Sequence, residues 1–553
     1  MRITTHMTLE NTEKFAAQFS RAWMDDCPFF LLIGTLAGAA AVRAAKQLHS
    51  DRERGLLVVE PVLSMLYAAS FFHDLSSLIS STQIFWVTGP DVPKEIRRTV
   101  RERLLFAFSR CEVLIPPGED AKNHSPYSQL AELTQSEQRI AAGLWTKEYL
   151  VFSSQRVPSQ NTFRRVGSFV PRTQASWLLR VSVEAVTSGM RQASLDVTIV
   201  PEDAEAYQPP VKPLVDLMEA NPDFLFSVNT PIRFMMQAPV WDAMRIPQVV
   251  WYVDIPDYWY RLGHWRSGTP PPSDVLLCYD RGDVDTVHSW GARHVAYLPT
   301  AADFIQPAEP QERFACDISF IASVFDQRNQ YAGWPTPLKE YCDRLIEQIH
   351  QSYSEKRLRP PFFDGLFTEE ALPGRSEIDL YALSKYIYLE VNNRLRLDAV
   401  RRLSDFDLII YGPPYWQTLL GEKDAKRCYR GMIEYSTSAR VMASSRVNLN
   451  VTSIQTGCSL GTRCFNVISQ RGCLVTEWIE GLDHLFEPGE GVVYHHGLDE
   501  LTEVIQRCLS DPVEREEIVE RGRERVLREH TFKHRAQQIV AYLQDHKDSF
   551  FDE

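Results

Sequence analysis

The residues best suited to chemistry lie in one stretch, 448–477, NLNVTSIQTGCSLGTRCFNVISQRGCLVTE. Gly457 and Gly461 let the backbone come close to a ligand, and Thr462 opens a helix predicted over about 461–470, whose first N–H groups point outward. Arg463 adds a permanently protonated fork one residue later. The free amides, the helix dipole and the guanidinium would together hold an anion, a diphosphate being the best fit. A plain βαβ unit with turn glycines fits the same local pattern, so the stretch alone leaves both readings open.

Other residues could complete such a site. Ser323 and Arg328 follow a predicted strand, where phosphate-binding loops occur. Tyr411 and Gly412 end another strand and could flank a base, or form a simple turn. Glu477, ending the strand after the helix, could meet a ligand hydroxyl or cap a helix. Asp254 ends a strand and could act as the general base that takes an acceptor proton, or be a turn carboxylate before Pro256. Asp257 and His264 are weaker choices for the same role. The aromatic residues Trp251, Tyr252, Tyr258, Trp259, Tyr260 and Trp265 could stack on sugars or a peptide, or simply pack. His495 and His496 are adjacent on a strand, point to opposite faces and cannot share a metal.

These residues need elements to position them. Short apolar runs without alternation, interleaved with helices, predict parallel sheets covered on both faces, an α/β fold. Strands are expected at 29–34, 56–60 and 83–88 in a first part, where Gly34, Gly38 and Glu60 sketch a nucleotide-binding βαβ without its G-x-G-x-x-G fingerprint. Charged helical segments should run from 94 to 109 and on to 142, with a polar boundary at 153–162. Strands at 196–201, 224–229, 248–256, 274–280 and 294–299 make a second part. Strands at 317–323, 406–412, 446–451, 473–477 and 492–495 make a third, with an irregular insert over 352–380 and a pair of charged helices over 512–543. Domains are therefore expected at 1–165, 166–305 and 306–553.

Length and composition agree with a multidomain globular protein: 553 residues, 44% apolar and 24% charged. A net charge of −13 argues against a general nucleic-acid or anionic-membrane binder, while leaving room for a local basic pocket. The ten cysteines include no C-x-x-C pair and fit no zinc spacing, which points to reduced, mostly buried thiols in a cytoplasmic protein. The polar start of the chain does not read as a signal peptide, and the apolar run 28–42 is too short to span a bilayer.

The third part resembles the CgeB-like (spore-maturation) branch of GT-B glycosyltransferases. DISFIAS followed by Arg328, IIYGPPYW at 409–416, SSRVNLNV at 444–451, TRCFN…GCLVT, and GLDHLFEPGEGVVYH with RERVLREHTFKHR carry the likeness. WYVDIPDYW at 251–259 and GARHVAYLPTAAD at 291–303 extend it into the second part, about 250 residues in all. VVEP, HDLSSLI and IFWVTGP near the start loosely resemble Maf-type flagellin glycosyltransferases.

The resemblance implies two Rossmann-like domains with parallel sheets facing a cleft, plus an N-terminal α/β domain. It implies transfer of a sugar from a nucleotide-sugar donor, held mainly by the C-terminal domain, to a protein or glycan acceptor. The nucleotide sugar is a co-substrate, a UDP-sugar being one candidate, and no cofactor or metal is expected because a helix N-terminus and basic groups would neutralise the leaving diphosphate. Two Asp-x-Asp triplets, 283–285 and 405–407, are not expected to bind metal, the first reading as a helix start and the second as a strand start. Asn466 stands where the family usually has a Glu for a ribose or sugar hydroxyl, so it would bond a hydroxyl neutrally. A non-catalytic nucleotide- or glycan-binding protein, and a sugar-nucleotide epimerase, are alternatives. No nucleic-acid partner and no membrane span are expected, and oligomeric state stays open.

Overall fold

The computed structural model of the chain describes residues 29–33, 55–60, 84–88, 91–101, 111–114, 126–155, 163–170, 177–201, 217, 219–231, 246–257, 269–328, 333–356, 377–479 and 481–550. The chain divides into two compact units, one of 1–183, 196–248 and the last residue, the other of 184–195 and 249–552. The protein is α/β with parallel sheets.

In the first unit β1 (Phe29–Ile33), β2 (Gly55–Glu60), β3 (Ile84–Thr88) and β4 (Cys111–Leu114) form a sheet ordered β3-β2-β1-β4, all parallel. Strand β4 departs from the sequence pattern: it is four residues long and sits in a charged region that reads as helical. Helix α1 (Val92–Arg101) buries Val92, Ile96 and Val100, one stripe at four-residue spacing. Helix α2 (Pro126–Gln155) runs into the polar stretch expected as a boundary, and its Glu137 accepts from Arg97 and Arg101 at 3.2 and 2.8 Å. Strand β5 (Arg165–Val170) is a second departure. It is followed by α3 (Trp177–Gln192), β6 (Asp196–Pro201) and β7 (Phe224–Val228), and pairs in parallel with both of those strands. Its Gly167 hides it from apolar patterning, and a Cβ there would stand 2.6 Å from Leu217. Gly34, Gly38, His264 and residues 258–265 of the aromatic cluster lie outside the described residues.

The second unit takes in the end of α3 with residues 184–195, and then most of β8 (Gln248–Tyr252), β9 (Asp274–Cys278), α4 (Val284–Ser289) and β10 (His294–Tyr297), in the spatial order β10-β9-β8. It continues with β11 (Cys316–Ile321), α5 (Thr336–Lys356), α6 (Glu377–Arg402), β12 (Leu408–Tyr411), α7 (Tyr415–Cys428), α8 (Tyr435–Ser444) and β13 (Ser445–Leu449). Then come α9 (Thr462–Ser469), β14 (Leu474–Glu477), β15 (Val492–His495), α10 (Leu498–Ser510), α11 (Pro512–Glu529) and α12 (Phe532–Asp545). Helices α5 and α6 take over both ends of the segment that reads as an irregular insert.

The second sheet of this unit is ordered β12-β11-β13-β14-β15, every pairing parallel. One face packs Ile318, Phe320, Ile410 and Val447 against Ile346 of α5, Ile387 and Val391 of α6 and Ile505 of α10. The other packs Leu474 and Val492 against Met442 of α8, Phe465 and Ile468 of α9 and Val526 of α11. Both faces are thus covered, as continuous apolar strands require. From β11 the chain passes to β12 on one side and then crosses to β13 on the other. In such sheets ligands sit outside the carboxyl ends of the strands at that reversal, here between β11 and β13.

Candidate functional site at the carboxyl ends of β11, β13 and β14

Arg463 lies at the reversal. It occupies the second position of α9, and its guanidinium donates to the carbonyl of Ile321, the last residue of β11, and to Asn450 Oδ1 at 2.9 Å, just past β13. Burial holds its pKa below the usual arginine value, and the side chain remains a cation at neutral pH. The cap position of α9 is Gly461, with extended backbone, and the first backbone bond of the helix runs from Cys464 N–H to Gly461 O at 2.9 Å. The amides of Thr462 and Arg463 come before that bond, so they are available to an external acceptor.

A second arginine, Arg396 of α6, meets the same segment. It is 9% exposed and donates to the Ser323 carbonyl at 2.8 Å. Its pKa is pushed down to about 10, chiefly by burial and then by the charge of Arg463, with Glu477 acting in the opposite direction. Glu477, at the end of β14, is 1% exposed. Both its oxygens accept from Thr452 N–H at 3.1 Å, and one accepts from the Thr476 hydroxyl at 3.0 Å. Helix α6 also holds the two flanking loops. Asn392 accepts from Ile454 N–H at 2.9 Å and donates to Ser453 Oγ at 2.8 Å. Asn393 accepts from Phe325 N–H at 3.1 Å and donates to Phe325 O at 2.9 Å.

The glycine-rich loop is tied on its other side. Asp280, after β9, is fully buried and accepts from Gly457 N–H at 2.5 Å, Cys458 N–H at 3.2 Å and Gly282 N–H at 2.9 Å. Ser459 Oγ donates to Tyr279 O at 2.7 Å, Thr300 Oγ1 donates to Leu460 O at 2.8 Å, and the Tyr279 hydroxyl meets Thr456 Oγ1 at 2.9 Å. Gly457, expected to let the backbone approach a ligand, thus gives its amide to an internal carboxylate.

The structure gathers Gly461, Thr462, Arg463 and Glu477 with the carbonyls of Ile321 and Ser323. The Ser323 residue itself is exposed and its carbonyl is the group in use. Asp254 follows β8, is half-buried and accepts from Ile255 N–H at 2.8 Å. Burial first, and then the charges of Asp280, Asp254 and Asp283, raise the pKa of the Tyr279 hydroxyl.

Four other expected residues are engaged elsewhere. Arg328 is exposed and forks onto Asp326 at 2.8 and 2.6 Å, with its guanidinium 5.4 Å from the Tyr415 ring. Asn466 is 1% exposed; its oxygen accepts from Asp303 N–H at 2.7 Å and Phe304 N–H at 3.2 Å, and its nitrogen donates to the Tyr435 hydroxyl at 3.1 Å. Tyr411 is buried, and Gly412 is fixed by chain packing, since a Cβ there would stand 2.1 Å from the Ala322 carbonyl. Sequence reasoning misses Arg396, Asn392 and Asp280. Two consecutive asparagines in mid-helix, poor helix formers, are the available signal for α6.

Residues 392–541 match the family described as Glycosyl transferase-like. No curated protein sequence matches the chain. Among solved structures, a glycosyltransferase from Rickettsia africae ESF-5 aligns at TM-score 0.42 and 9% identity, over 70% of this chain and 99% of that one. Sucrose-phosphate synthase from Thermosynechococcus elongatus aligns at 0.38 and 12%, over 70% and 99%. T4 phage BGT in complex with UDP and Mn2+ aligns at 0.38 and 10%, over 70% and 100%. No described helix is long and apolar enough to cross a membrane.

Proposed function

We propose that the chain is a glycosyltransferase of the GT-B type that moves a sugar from a nucleotide-sugar donor to a protein or glycan acceptor. The observation that carries this reading is the match of residues 392–541 to the glycosyl transferase-like family, because that span contains most of the reversal point: the arginine-bearing turn of α6, α9 and β14. Arg463 and the first amides of α9 suit the diphosphate of the donor. Glu477, whose oxygens hold Thr452 and Thr476, and Asn450, which holds Arg463, fit roles in fixing the strand ends around that group.

In the reaction the bond between the anomeric carbon and the β-phosphate oxygen breaks, and the acceptor oxygen forms the new bond to that carbon. The acceptor proton passes to a base, for which Asp254 is our choice. The departing nucleoside diphosphate gains negative charge, and the guanidinium of Arg463 and the helix amides favour that state over the bound donor. These groups support a metal-independent transfer. Asn466, with both ends of its amide engaged within the protein, fits a role in holding α9 against residues 303–304, and Arg328 fits a surface role. We further propose that residues 166–305 form the acceptor side, that residues 1–165 serve docking or the acceptor, and that the protein acts in the cytoplasm.

A panel of nucleotide sugars incubated with the protein in EDTA, with release of nucleoside diphosphate as the readout, tests the reading. One donor should be turned over. Asp254→Asn should slow release by about 100-fold or more, the scale of lost general-base catalysis, without changing donor affinity. Binding without release by the wild-type protein would instead favour a non-catalytic binding module.

A further inference from the structure

We propose that Arg396 is a second anion-binding residue of this site, forming with Arg463 a two-guanidinium cradle for a diphosphate group. The proposal rests on the donor reading above and names a contact that the family match and the sequence do not assign.

The argument begins with position. Arg463 and Arg396 come from different helices, α9 and α6, yet they donate to carbonyls two residues apart, those of Ile321 and Ser323. Both guanidiniums therefore meet the segment that leaves β11, at the reversal point of the sheet. Asn392, Asn393 and Arg396 recur on one face of α6, where the asparagines fix the loops that leave β13 and β11. The third member of this polar face is a cation.

Charge is the second step. Arg396 is more than nine-tenths buried, and among the described residues neither Arg396 nor Arg463 has a carboxylate within ion-pair distance. Glu477 is near enough to influence Arg396, but its oxygens are taken up by Thr452 and Thr476. Burying Arg396 within reach of the Arg463 charge and without a paired counter-charge is costly. A purely structural contact to the Ser323 carbonyl needs only a neutral donor. Arg396 uses one nitrogen for that carbonyl, so the rest of its fork remains for an anion. A group with two linked phosphates offers several anionic oxygens and enough charge to face both guanidiniums.

The test is equilibrium titration of wild-type protein, Arg396→Gln and Arg396→Lys with inorganic pyrophosphate, a panel of nucleoside diphosphates and the corresponding free nucleosides. Wild-type protein should bind pyrophosphate and one nucleoside diphosphate. Arg396→Gln should weaken both by about 10- to 100-fold, as loss of a charged hydrogen bond predicts, and leave nucleoside affinity unchanged. Arg396→Lys keeps the charge but not the fork, and should lose about threefold or more for the same two ligands; it carries the test if the Gln variant does not fold. Wild-type pyrophosphate affinity in a folded variant overturns the proposal even if nucleoside diphosphates still bind through Arg463. Arg396-dependent binding of pyrophosphate with no preference for any nucleoside diphosphate would uphold the cradle and refute the donor reading.

Discussion

Arg463 donates to two strand ends that belong to different crossovers, Ile321 after β11 and Asn450 after β13. Its charge is thereby fixed in place before any ligand arrives, which lowers the ordering cost of binding. Arg463→Ala should weaken nucleoside-diphosphate binding by about 1.5–3 kcal/mol, the scale of a charged hydrogen bond, read by calorimetric titration. An unchanged affinity would place the diphosphate elsewhere. Arg463 is legible in the sequence because it follows a glycine at a predicted strand-loop-helix junction. Arg396 is not, because a helix pattern does not tell which of its arginines will be buried or which carbonyl it will meet. Asn466 shows the converse: a position marked by resemblance is occupied here by contacts to residues 303, 304 and 435, and nothing in its neighbours along the chain announces them.

At the scale of elements, α6 sets the distance between the two loops of the site. Asn392→Ala would leave the Ile454 amide without its acceptor and cost about 1–3 kcal/mol of stability, measurable by chemical denaturation. Gly412→Ala should be more disruptive, because the clash is with the backbone oxygen of Ala322 and can be relieved only by shifting β12 from β11. An overpacked core typically loses about 1–3 kcal/mol, and a variant as stable as the parent would show that the two strands can separate. The five strands of the last sheet are readable to within about two residues because each is an apolar run bounded by turns. Strands β4 and β5 escape, the first for its shortness and polar surroundings, the second because Gly167 and Ser168 interrupt it.

At the scale of the second unit, distant parts of the chain are tied together by buried polar groups. Asp280 grips the glycine loop, and Arg535 of α12, 1% exposed, donates to Pro299 O and Thr300 O at 2.7 and 3.0 Å and to His530 Nδ1 at 2.7 Å. Burial first, and then the Arg535 charge, push the His530 pKa down to about 3 from an ordinary 6.5. A depressed histidine binds fewer protons folded than unfolded, so its contribution is complete above about pH 6.5 and declines as pH falls toward 3. The slope from this one group is at most about 1.4 kcal/mol per pH unit. His530→Gln should flatten the pH dependence of stability in that window; an unaltered slope would assign acid sensitivity to other groups. None of these ties is readable from the sequence, since each joins residues far apart in the chain or a buried partner that patterning does not reveal.

The central claim is that the reversal point between β11 and β13 holds the diphosphate of a nucleotide-sugar donor. Calorimetric titration of the wild-type protein with UDP, GDP, ADP, CDP and dTDP in EDTA tests it most directly. The account predicts saturable binding of one base class, with the matching nucleoside far weaker. A protein that binds none of them, while remaining folded, would contradict it.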